Sequence, residues 1–149
     1  MLIEGLAEFE KLSHEVKATP QKLEDTLFGD NPKAFAIVAR WQGDPVGMAL
    51  YFYSYSTFLA KPGIYLEDLF VLPKARGRGI GESLLRHLAS LCIKEDLGRL
   101  EWSVLDWNKD AIRFYERMGA LPQDQWTMMR VTGNSLLELG DLPSSGASS

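Results

Sequence analysis

Cysteine and histidine are nearly absent from this chain. One cysteine, Cys92, stands among 149 residues. No disulfide can form within one copy, and no thiolate cluster exists for zinc or iron–sulfur ligation. Cys92 falls in an apolar helical stretch, where a small buried side chain is the expected role. The two histidines, His14 and His87, are far apart in helical patterns, so no metal is expected. A basic excess is missing too: 16 Lys and Arg face 20 Asp and Glu, for a net charge of −4. That argues against nucleic acid or an anionic membrane as partner and is compatible with a cationic ligand. No run of about 18 uncharged apolar residues is present to span a bilayer. The first residues lack a basic stretch before an apolar one, since Glu4 and Glu8 interrupt them, so no signal peptide is read and the cytoplasm is the expected location.

The chain's length fits one domain. Residues 1–140 are expected to form it, with 141–149, all small residues and proline apart from Asp141 and Leu142, as a flexible tail. Leu2, Ile3, Leu6, Phe9 and Leu12 recur at helical spacing, which predicts an amphipathic helix over 2–16. Thr19-Pro20 starts a second, short helix ending at Gly29. Three strands follow: 34–41, an aromatic-rich 46–58, and 64–72. Gln42-Gly43-Asp44-Pro45 and Lys61-Pro62-Gly63 are the turns between them, giving an antiparallel meander. A helix opens within Arg76–Gly81, carries Leu84, Leu85, Leu88, Leu91 and Cys92 on one face, and is expected to stop at Gly98. Strand 100–105 comes next. A helix then follows, with Asn108 as N-cap and Gly119 at its end. A last strand is expected over Trp126–Val131 and a helical turn over 135–139. The order predicts an α/β (α+β) fold with a mixed sheet.

The strongest local signal is Gly77-Arg78-Gly79-Ile80-Gly81 between a strand and a helix. Glycines let the backbone turn and approach a ligand. Consecutive amides at a helix N-terminus attract an anion, and Arg76 and Arg78 add positive charge. A phosphate or diphosphate suits the place. The Walker pattern is absent, because Gly81 is followed by Glu82 and Ser83. The dinucleotide pattern fails by one residue and by the antiparallel strands before it. A glycine-rich connector without a ligand is the plainer alternative.

The segment Arg76–Glu82, following Tyr65-Leu66-Glu67-Asp68-Leu69-Phe70-Val71, resembles the cofactor site of the GNAT N-acetyltransferases. The run from Trp107-Asn108 to Met118-Gly119-Ala120 resembles their second signature. Leu6-Ala7-Glu8-Phe9-Glu10 and Asp106-Trp107-Asn108 narrow the resemblance to the diamine branch, which includes spermidine/spermine and thialysine enzymes. It extends from about Leu2 to Leu139. The helical pattern begins at Leu2 without a cap, so the sheet is expected to lack the family's first strand.

The resemblance implies acetyl transfer from acetyl-CoA to a primary amine of a small cationic acceptor. A protein or peptide N-acetyltransferase and a non-catalytic acetyl-CoA sensor are the alternatives. It implies that backbone amides of Gly77, Arg78, Gly79, Ile80, Gly81 and Glu82, beside Arg76, hold the CoA diphosphate. The main chain of Leu69, Phe70 and Val71 would pair with the pantetheine arm like an added strand. Asn108 and Ala111 would meet the cofactor. Tyr115, by periodicity an ordinary half-buried aromatic, would protonate the departing thiolate. An amine with pKa near 10.4 is protonated at neutral pH, and freeing its lone pair costs about 4–5 kcal/mol. Glu67 is the candidate base. Asp68 would face the opposite side of a regular strand. Phe9, Glu10, Asp106 and Asp124 are further acceptor-site candidates, although a solvated surface charge is the plainer role for each acid. The family is usually homodimeric, and the same is expected here.

Overall fold

The computed structural model describes residues 30–141. The two helices expected before residue 30, the expectation that a first strand is missing, the candidates Phe9 and Glu10, and the tail from 142 lie outside the described residues. The chain divides into two compact units, one ending at Leu105 and one beginning at Asp106.

In the first unit, four strands form one sheet in the order β1-β2-β3-β4. β1 (Phe35–Trp41), β2 (Asp44–Ser56) and β3 (Lys61–Val71) make the expected antiparallel meander. Gln42 and Gly43 close the first hairpin with φ of 52° and 87°, the two positive values that a twist-matched two-residue turn requires. β4 (Leu100–Trp102) runs parallel to β3. A parallel neighbour needs a long crossover, and helix α1 (Ile80–Lys94) lies within it.

The core of this unit forms where the sheet meets α1. Val46, Met48, Ala49, Tyr51, Ile64 and Leu66 are buried on the strands, and Leu84, Leu85, Leu88 and Cys92 on the helix. Ile64 and Leu88 are fully enclosed, each worth roughly 1.5–3 kcal/mol of burial. Cys92 takes the core role expected of it, and burial first, then the Glu95 charge, pushes its thiol pKa up.

The end of α1 departs from expectation. Asp96, with φ 56°, takes the left-handed position two residues before Gly98. Leu97 N–H then donates to Cys92 O at 2.8 Å and Asp96 N–H to Ile93 O at 3.3 Å, the paired closure of a Schellman motif. Aspartate tolerates that conformation. Gly98 is needed for close approach instead, since a Cβ there would stand 2.8 Å from Leu59 Cδ1.

β4 is shorter than the expected 100–105. Its ladder with β3 ends at Leu66↔Trp102, beside a β-bulge in β3. Tyr51 pairs with Leu66 but Leu50 pairs with Asp68, so Glu67 is the extra residue.

The second unit carries α2 (Lys109–Arg117) and α3 (Gly133–Gly140). Asn108 Oδ1 accepts Ala111 N–H at 3.3 Å, capping α2 as expected. Gly119, at φ 101°, ends it, with Ala120 N–H donating to Tyr115 O at 3.0 Å. The expected strand Trp126–Val131 is not formed: the segment is irregular and exposed. A strand exists through ladder hydrogen bonds to a neighbour, and the sheet ends at β4. An apolar pattern without such a partner does not suffice. The described fold is mixed α/β, with a mostly antiparallel sheet and α1 packed on it in the first unit and two further helices in the second.

Candidate functional site

The candidate residues of the first unit gather at the end of β3. Past the last β4 pair, residues 68–71 continue against β2, from Asp68↔Leu50 to Val71↔Gly47. Gly47 lets the strands and helix close up there. A Cβ on it would meet Phe70 O at 3.0 Å and Ile80 Cγ2 at 3.2 Å. Opposite faces for Glu67 and Asp68 require a regular strand, and here the alternation is interrupted at Glu67, where a bulge re-aims side chains. Glu67 is exposed and Asp68 half-buried.

After Leu72, a short 3₁₀ turn, Pro73–Ala75, tucks Ala75 into the core. The loop then follows, with Gly77 and Gly79 both left-handed at φ 82° and 77°. Among the described residues, no atom beyond the chain neighbours lies within 4 Å of the place a Cβ would take at either glycine. Gly79 caps α1 without a side chain, and Ser83 N–H donates to its carbonyl at 2.9 Å. The first amides of a helix have no acceptor within the helix, so this end attracts an anion. At Gly81 a Cβ would touch Leu69 Cδ2 at 3.9 Å and Val71 Cγ2 at 4.0 Å. The helix start and the end of β3 are thereby brought together.

Both arginines of the loop are anchored. Arg76 Nε donates to Val71 O at 3.1 Å. The Arg78 guanidinium lies over the Trp41 ring, 5.2 Å from its centroid. Glu82, the acidic residue of the first helical turn, is paired with Arg86 at 3.2 Å. Trp41 was legible only as the end of a strand. A tryptophan before a Gln-Gly turn signals nothing about a loop 37 positions later in the sequence, and only the folded sheet unites them.

Asp106, Asn108, Ala111, Tyr115 and Asp124 belong to the second unit. Asn108 and Ala111 are joined through the cap of α2. Tyr115 is half-buried and packs against Phe114, ring centroids 5.5 Å apart. Burial pushes its pKa above the ordinary value, so its hydroxyl keeps its proton at neutral pH. Asp106 and Asp124 are exposed. Among the described residues, no group of three or more His, Cys, Asp or Glu is placed to hold a metal ion, and no helix is long and apolar enough to cross a membrane.

Residues 3–120 match the profile of the acetyltransferase (GNAT) family. The chain belongs to the GNAT acetyltransferase family. Within it, the chain is similar to a thialysine N-epsilon-acetyltransferase of Mus musculus, at 36% identity over 93% of this chain and 87% of that protein. It is also similar to a spermidine/spermine N(1)-acetyltransferase-like protein of Homo sapiens, at 30% identity over 93% of this chain and 21% of that one. Among solved structures, an integron cassette protein of V. cholerae superposes with a TM-score of 0.80 at 30% identity, covering 94% of this chain and 90% of that one. The GNAT chain is thus an acetyltransferase whose relatives match the diamine branch, and the family uses acetyl-CoA as cosubstrate.

Proposed function

We infer that this GNAT enzyme transfers an acetyl group from acetyl-CoA to the primary amine of a small cationic acceptor, a polyamine, a diamine or a lysine-like amino acid. The observation that carries this is the loop at the start of α1. Its two left-handed glycines leave open space beside a helix N-terminus flanked by two anchored arginines. That donor set suits a diphosphate. The substrates in the relatives' names, thialysine and spermidine/spermine, are small amines and support the acceptor class, as does the chain's net charge of −4.

Bound acetyl-CoA supplies an acetyl group already activated as a thioester. The chain's residues do the rest. Amides of residues 77–82, with Arg76 and Arg78, hold the diphosphate. The main chain of Leu69, Phe70 and Val71 aligns the pantetheine arm, and its amides stabilise oxyanion charge. Glu67 binds the acceptor ammonium and takes its proton, with Asp68, Phe9, Glu10, Asp106 and Asp124 forming the acceptor site. Tyr115, kept neutral by burial, gives its proton to the departing thiolate. Asn108 uses its carbonyl oxygen in the cap of α2, and its amide NH₂ is the end assigned to the cofactor. The same proposal takes residues 1–140 as one domain, supported by a family match that runs across the Leu105–Asp106 boundary. It takes 141–149 as a flexible tail. It makes the enzyme a cytoplasmic homodimer with no nucleic-acid, membrane or metal partner.

The test is a thiol-release assay with acetyl-CoA and an amine panel: spermidine, thialysine, and a peptide with a free N-terminus and a lysine. Turnover is expected on the small amines and not on the peptide. Preference for the peptide would replace the acceptor assignment, and no acceleration by any amine would remove catalysis from the proposal.

A further inference from the structure

Arg78 stands between the two left-handed glycines of the loop, and among the described residues beyond the chain neighbours neither has an atom within 4 Å of its open Cβ position. Such a backbone is weakly restrained, and an arginine on it has many rotamers to lose when it meets a ligand. Here the guanidinium already lies over the Trp41 ring at 5.2 Å. The hairpin that carries the platform is braced at its turn. Trp41 is the last residue of β1 and pairs with Asp44 across the Gln42-Gly43 turn. Arg40 Nη1 also donates to Gly43 O at 3.4 Å, bracing that turn. Trp41 remains 44% exposed, so the ring is more platform than core. A guanidinium held over a ring by cation–π attraction keeps its N–H donors available to an anion. Glu82 is paired along the helix with Arg86.

We propose that Trp41 is a positioning residue for cofactor binding: its indole holds the Arg78 guanidinium by a cation–π contact and presents it, preorganised, to a phosphate of CoA. This rests on the assignment of the loop to CoA. Trp41 touches no reacting atom and acts only through Arg78.

The experiment is a double-variant cycle read by calorimetric titration of CoA into the full chain at low salt. It uses Trp41→Leu, Trp41→Phe, Arg78→Ala, and Trp41→Leu with Arg78→Ala together. Trp41→Leu should weaken CoA binding about two- to fivefold, the scale of an exposed cation–π pair. Trp41→Phe, which keeps an aromatic face, should recover most of it. In the Arg78→Ala background, Trp41→Leu should have no further effect. In the amine assay, KM for acetyl-CoA should rise with the dissociation constant while kcat stays unchanged. Wild-type affinity in Trp41→Leu overturns the proposal, as does an equal loss with and without Arg78. Should the leucine variant lose its fold, Trp41→Met, whose flexible chain fills space without an aromatic face, carries the same cycle against Arg78→Ala, with the same loss of about two- to fivefold expected and wild-type affinity overturning the proposal. A wild-type chain that takes up no CoA would instead refute the loop assignment.

Discussion

Replacing Gly79 by alanine separates two things this glycine does. Gly79 caps α1 at φ 77° and ψ 15°, where a residue with a Cβ loses roughly 1–2 kcal/mol. Among the described residues beyond the chain neighbours, no atom lies within 4 Å of the new methyl, so none of them adds a clash to that loss. At this chain length, each kcal/mol lowers Tm by about 2–4 °C. The methyl does occupy the open space beside the loop amides. Displacing a diphosphate from one charge-assisted hydrogen bond there removes about 1.5–3 kcal/mol, which is roughly tenfold to a hundredfold in affinity. Gly133 is the matched control: its φ is 59° and its Cβ position is also open, but it has no assigned role. Calorimetry should show similar Tm losses for Gly79→Ala and Gly133→Ala, and titration should show CoA affinity lost only in the first. Wild-type CoA affinity in Gly79→Ala, or an equal loss in both variants, would refute the reasoning.

Tyr115→Phe should lower kcat about a hundredfold or more, the usual worth of a positioned acid, with little change in CoA affinity; an active phenylalanine variant removes Tyr115 from the mechanism. Glu67→Gln should be most damaging near neutral pH and partly recover at high pH, where more of the amine is already free, and a constant ratio to wild type across the pH profile contradicts the base role. The Tyr53 hydroxyl donates to Glu95 Oε1 at 3.0 Å, and burial first, then that carboxylate, pushes its pKa up to about 12. The folded chain therefore keeps a proton that the unfolded chain loses from about pH 10. This contribution is complete below the unfolded pKa and is lost as pH rises through the folded one. Tyr53→Phe should flatten that stretch of the stability curve in denaturant titrations, and an unchanged slope would deny the shift.

Much of the first unit was legible in the sequence because its signals are local. Alternating apolar residues gave the meander, the Gln42-Gly43 turn set its first hairpin, and the spacing of Leu84, Leu85, Leu88 and Cys92 gave α1 its buried face. Asn108 and Gly119 bracket α2 as their capping chemistry demands. The misses share a cause: each depends on a partner distant in sequence. The bulge at Glu67 exists only in its register against Leu50 and Tyr51. Asp96 ends α1, and Gly98 is a glycine for its close approach to Leu59. Trp126–Val131 has strand-forming residues and no ladder. In the candidate site, the loop was readable from its glycines, whereas the cation–π contact of Arg78 with Trp41 required the folded hairpin.

The most direct measurement is calorimetric titration of the full chain with CoA and, separately, with pantetheine, which lacks the diphosphate. The account predicts saturable uptake of one CoA per chain, weakened by salt as a phosphate contact must be, and far weaker uptake of pantetheine. Equal binding of the two, or no uptake of CoA by the folded chain, would contradict it.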